Sequence, residues 1–346
     1  MGNVDALMAT DPLKQHIRQT LWEAFIKKLR RKPITYLTFY APTIMDVKHL
    51  ARSGYIKFED SVYKGVVGIT KDEKHGYPLA ISEGKGRLEL FKIGEAHALI
   101  DAKEKDFLDK FPFDVINLDY CNYIFGQNNN PFVSNNLKDI SLIINQQRRT
   151  QCDEFILFLT TRTDRTKAQV GSREKIGFAD NFLGDLKDRI NLNIQNNSTF
   201  RSKYHKLFAG ESVANIASSK YNEFVNIGIV KLLSMELASQ DYGIVDCTAT
   251  WLIRDEVKPQ RDLLHMALHV KDGNVTKVGA RELSSFGRYY YLERGAEKIL
   301  ERLQDGGVTS VTEKKDKKKL EELLGHYIKE LREDTFEIRV PESLPE

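Results

Sequence analysis

Cysteine is scarce in this sequence: Cys121, Cys152 and Cys247 are the three among 346 residues, far apart and without a CxxC pair. That spacing excludes a disulfide framework and a zinc cluster of paired thiolates, and it suits small buried hydrophobes in a reducing compartment. No apolar run approaches the ~20 residues of a membrane-spanning helix, and the amino terminus shows no signal-peptide core. The expectation is a soluble, cytoplasmic protein with no membrane partner. Charge of one sign is also missing. Lys and Arg number 52 against 49 Asp and Glu, a net +3, so any electrostatic footprint for nucleic acid has to be local. GxGxxG, GxxxxGK[ST] and GxSxG are all absent, which argues against dinucleotide, P-loop and α/β-hydrolase chemistry.

What is present is an ordinary globular composition, 41% hydrophobic and 29% charged, long enough for one large core or two moderate ones. Leu13, Ile17, Leu21, Phe25 and Leu29 recur every four residues, predicting an amphipathic helix over 11–32 that ends at Pro33. Strands are predicted over 34–41, 62–70, 88–93, 114–119 and 154–161. Between them fall helical patterns: one opening near Thr43 and running to about 53, a short one at 102–110, and a stripe of Leu137, Ile140, Ile143 and Ile144. Alternation of this kind means βαβ units, hence a doubly wound, mostly parallel Rossmann-like sheet. Residues 174–240 read as a helical insertion. Two long strand patterns, 244–254 and 262–271, form an antiparallel hairpin. The domain plan is an amino-terminal helix (1–33), a Rossmann-like domain (34–305), and a charged linker with a carboxyl-terminal helix (306–346). That last helix carries Leu320, Leu323, Leu324, Tyr327, Ile328 and Leu331 on one stripe, a candidate surface for a protein partner.

Five βα units followed by a hairpin resemble the order of elements in class I, S-adenosylmethionine-dependent methyltransferases. The segment DVINLDYCN, 114–122, resembles the strand-four motif of enzymes that methylate guanine in tRNA, and loosely the (D/N)-P-P-(Y/F) motif of amino-group methyltransferases. The resemblance implies an S-adenosylmethionine cofactor and transfer to a nucleic-acid base. It places Asn117 in the polar position, Tyr120 in the aromatic one, and Asp119 beside them. The turn after strand one departs from the family. It reads Phe39-Tyr40-Ala41-Pro42-Thr43-Ile44, with no glycine to let the cofactor approach and with a proline that lacks an amide donor.

Ligands of open α/β sheets sit beyond the carboxyl ends of the strands. That rule selects Tyr40, then Asp72 or Glu73 as a ribose-binding acid, then Asn117, Asp119 and Tyr120. Asp119 closes an apolar strand, where a carboxylate serves as proton acceptor or holds an exocyclic amine, and Tyr120 is placed to stack on a base. Arg162, Arg165 and Lys167 put three cations on the same side for phosphates. Arg288 and Tyr290 lie in an aromatic-basic patch suited to stacked bases. His265 and His269 share one face of a strand but stand roughly 13 Å apart along it, too far for one metal ion. Two functions follow. One is a divergent methyltransferase-like enzyme acting on nucleic acid. The other is a non-catalytic Rossmann-fold subunit serving a larger assembly, and the missing glycine turn favours it. A nucleotide-binding enzyme using the same crevice is the third, weaker reading.

Overall fold

The computed structural model describes residues 12–40, 44–71, 87–93, 105–120, 124, 135–162, 218–253, 263–273 and 308–312. Helix α1 comprises an α-helical turn at Pro12–Ile17, a π-helical turn at Arg18–Trp22 and a final turn at Glu23–Ile26. It is shorter than the period of four predicts. Its buried side chains, Ile17, Trp22, Phe25 and Ile26, step by five between Ile17 and Trp22. The wider π turn takes up that step and leaves Leu21 only partly buried.

Strand β1 is Tyr36–Phe39 and helix α2 is Met45–Arg52. The single strand expected over 62–70 is broken. Lys57–Glu59 (β2) and Val62–Lys64 (β3) form a separate hairpin. Its two-residue turn, Asp60-Ser61, has both residues left-handed, at φ 52° and 63°. Right-handed strand twist favours such a turn. Gly65, at φ +71°, then redirects the chain into β4, Val66–Lys71. Next come β5 (Glu89–Ile93), the single-turn α3 (Lys105–Leu108), β6 (Val115–Asp119), α4 (Asn135–Arg149) and β7 (Glu154–Arg162). Helix α5 (Ser218–Ser239) leads into β8 (Tyr242–Ile253) and β9 (Leu263–Asp272). Strand β10 is Val308–Thr312. It corrects the reading of that stretch as linker: a segment with four β-branched residues of five pairs in parallel with Ala249–Ile253, a signal masked in sequence by flanking Gly306-Gly307 and the lysine run.

Eight strands form one sheet in the order β10-β8-β9-β7-β6-β1-β4-β5. Strands β5, β4, β1, β6 and β7 are parallel to one another, whereas β9 runs against both β7 and β8. The fold is therefore α/β with a mostly parallel sheet and an antiparallel hairpin. Side chains alternate across it. Leu37, Ile116, Leu118, Phe155, Leu157 and Leu268 pack with residues of α4 and α5 in one core. On the other face, Tyr36, Val115, Ile156, Phe158 and Ala267 pack under α1 and α2. Strand β7 is apolar along most of its length because both of its faces are covered. No described helix is long and apolar enough to cross a membrane.

Candidate functional site at the carboxyl end of β6

From β1 the chain moves outward to β4 and β5, then returns to place β6 on the other side of β1. Ligand crevices of doubly wound sheets open at such a reversal. Parallel strands β1 and β7 flank β6, so Asp119 ends a strand in the middle of the sheet. Register brings polar residues together across several strands. Thr38 lies opposite Asn117. One step toward the carboxyl ends, Asp119 lies opposite Thr160, Thr160 opposite His265, and His265 opposite Thr250. Asn117, Thr160, His265 and Thr250 are all buried.

Two hydrogen-bonded chains run through this face. Asn117 Nδ2 donates to Thr38 Oγ1 at 3.2 Å, and the Thr38 hydroxyl and Tyr36 OH each donate to Asp46 Oδ2 at 2.8 Å. Burial, with the Asp46 carboxylate beside it, pushes the Tyr36 phenol well above its ordinary range. In the second chain, Trp22 Nε1–H donates to His265 Nε2 at 3.0 Å, and His265 Nδ1 lies 2.7 Å from Thr160 Oγ1. Indole is only a donor, so His265 Nε2 accepts, and in the neutral ring Nδ1 carries the proton and donates to Thr160. Burial pulls the His265 imidazole down to about 3, against the opposing pull of the Asp119 carboxylate. With its proton on Nδ1, His265 takes none from Thr160, so the pair is not a nucleophile and its base.

Asp119 itself is neutralised by the chain. Lys14 Nζ sits 2.8 Å from Asp119 Oδ2, with side chains 20% and 27% exposed. Burial raises the Asp119 carboxyl, but Lys14, by charge and hydrogen bond together, outweighs it and holds the group below the usual carboxylate range. Lys14, Ile17, Arg18 and Trp22 of α1 close over Asn117, Asp119, Thr160 and His265, leaving a cavity of about 20 Å³. Small-molecule sites occupy roughly 300–1,000 Å³. The space between α1 and these residues is therefore too small for S-adenosylmethionine.

Of the residues singled out in sequence, Asn117 and Asp119 line this cavity together. Tyr120 points to the opposite face. Its ring lies edge-on to Phe39 at 5.2 Å, its OH donates to the Asn136 carbonyl at 3.3 Å, and burial together with Asp139 pushes its phenol well above the ordinary range. Tyr40 is partly buried against the α1 core, its amide bonded to the Ile69 carbonyl at 2.7 Å. Asp72, Glu73, Arg165, Lys167, Arg288 and Tyr290 lie outside the described residues, as do residues 174–217 and the helix expected at 320–331; Arg162 ends β7. His265 and His269 face the same side of β9 with different partners, His269 Nε2 lying 2.7 Å from Glu154 Oε1. The residues that sequence reasoning missed are Lys14, Arg18, Trp22 and Thr160. Trp22 carried the one available signal, a large aromatic with a donor in a helix of otherwise aliphatic stripe. The other three are legible only from the packing of α1 on the sheet.

A family model described as PP_RS20740-like matches residues 93–302, more than half of the chain. No curated protein matches it.

Proposed function

The chain belongs to the PP_RS20740-like family, and we propose that it is a methyltransferase-like α/β protein acting as a non-catalytic recognition or structural subunit. One observation carries this reading: α1 occupies the crevice at the strand reversal and engages its polar groups, Lys14 on Asp119 and Trp22 on His265. A crevice used for S-adenosylmethionine leaves such groups to the ligand. The glycine-free turn Phe39 to Ile44 points the same way. The apolar stripe that the sequence predicts over Leu320 to Leu331 would be the surface offered to a protein partner.

A second reading, transfer of a methyl group to a nucleic-acid base, is favoured by a different observation. The reversed strand β9 lies between β7 and β8, an order that resembles class I methyltransferases, and Asn117 and Asp119 share the α1 face beside the reversal. In that reading Asn117 and Asp119 orient the acceptor, while Tyr120, on the far face, packs instead of stacking. Phosphates would be met by Arg162, Arg165 and Lys167, with Arg288 and Tyr290 against bases.

Calorimetry of the full chain with S-adenosylmethionine separates the two. The first reading expects no binding, in the natural chain and in Lys14→Ala alike. Micromolar binding that disappears in Asp72→Ala or Glu73→Ala overturns it and leaves the enzyme. Association with a nucleic acid that ignores salt, or survives neutralisation of Arg162, Arg165 and Lys167, removes the phosphate contacts from either reading.

A further inference from the structure

Around the cavity beneath α1, most polar atoms are matched: Asp119 by Lys14, Thr160 by His265, His265 by Trp22. Two buried atoms are not. Among the described residues, Arg18 Nη1 and Asn117 Oδ1 have no hydrogen-bond partner, and both residues line the cavity. Asn117 is 5% exposed, and its other amide atom is committed to Thr38. Leaving a buried donor or acceptor unsatisfied forfeits its hydration without replacement, so two around one cavity are unfavourable unless something fills the space.

The size and the two atoms specify the occupant. A cavity of about 20 Å³ exceeds the roughly 10–15 Å³ that one water requires, and is far below what a nucleoside needs. The occupant has to accept from a guanidinium N–H and donate to an amide oxygen. Chloride accepts but donates nothing, which leaves Asn117 unmet. Ammonium donates but has no lone pair to offer Arg18. A hydroxyl-type oxygen does both.

We infer that this cavity is a binding site for one amphiprotic oxygen bridging Arg18 Nη1 and Asn117 Oδ1, either a resident water or the hydroxyl of a bound sugar or polyol. It ties the π-helical turn of α1 to strand β6. Through Asn117 it extends the chain Asn117–Thr38–Asp46–Tyr36 up to α1. The site requires α1 to be seated on the sheet, as it is here, with Lys14, Ile17, Arg18 and Trp22 lining it.

A high-resolution crystal structure of the full chain, grown without polyols or nucleosides, tests it. The expected result is one ordered oxygen within about 2.7–3.2 Å of both atoms. Crystals soaked with glycerol distinguish the sources. An unchanged isolated oxygen assigns the site to water, and its replacement by a glycerol hydroxyl assigns it to a ligand. Arg18→Met, which keeps an unbranched apolar stem but removes the donor, is expected to lose the ordered oxygen or strip it to low occupancy. An empty cavity in a well-ordered map, a monatomic anion bound to Arg18 alone, or an oxygen unaffected by Arg18→Met overturns the assignment.

Discussion

The neutral His265 at the centre of the α1 interface makes acid stability a quantitative probe of the site. In the folded chain its imidazole is pulled to about 3 by burial, whereas an unfolded histidine titrates near 6.5. Below pH 6.5 the unfolded chain takes up a proton that the folded chain refuses. The stability contributed by the neutral ring is therefore complete above pH 6.5 and is lost progressively down to about pH 3. Between pH 7 and pH 5 this amounts to about 2 kcal/mol, from about 1.4 kcal/mol for each of the one and a half pH units below 6.5. Protonation at Nε2 would also aim two donors, the imidazolium N–H and Trp22 Nε1–H, at each other across a 3.0 Å contact. The perturbation is His265→Gln, which keeps an acceptor for Trp22 and does not titrate. The assay is urea unfolding, followed by circular dichroism, of both proteins at pH 7, 6 and 5. The variant is expected to be less stable at pH 7 yet to lose about 2 kcal/mol less on going to pH 5. His49 and His269, also lowered chiefly by burial, remain in both proteins and cancel in the difference. Parallel pH profiles for the two proteins would refute the account, because His265 would then titrate alike folded and unfolded.

Two further outcomes follow from the packing. Trp22 is 3% exposed and stacks on Phe158 with centroids 4.7 Å apart and planes 8° from parallel. Trp22→Ala should therefore cost about 3–5 kcal/mol in urea unfolding, and a cost under about 1 kcal/mol would mean that α1 is not seated on the sheet. Gly65→Ala forces a side chain onto φ +71° and sets its Cβ 3.4 Å from Thr35 Cγ2. It should lower stability by about 1–2 kcal/mol, whereas a neutral effect would mean that the turn between β3 and β4 relaxes freely.

The sequence by itself determined the elements and their alternation. The run EFILFLTT is a strand covered on both sides because no position in its middle tolerates water. The stripe of Leu137, Ile140, Ile143 and Ile144 is a helix with one buried face, and all four reach the core that they predict. Asn117 and Asp119 share a face because strand side chains alternate with period two, a purely local rule. The boundary errors were local too: a left-handed Gly65 and a π turn at Arg18–Trp22 change the path without changing the composition around them. Only the tertiary structure decided what the site is made of. Lys14 meets Asp119 across 105 positions of sequence, and Trp22 meets His265 across 243. Thr160 faces His265 because β9 enters the sheet antiparallel between β7 and β8. No periodicity encodes those pairings. They arise because α1 has to bury Ile17, Trp22, Phe25 and Ile26 against the sheet, and burying them brings its polar side chains over the crevice.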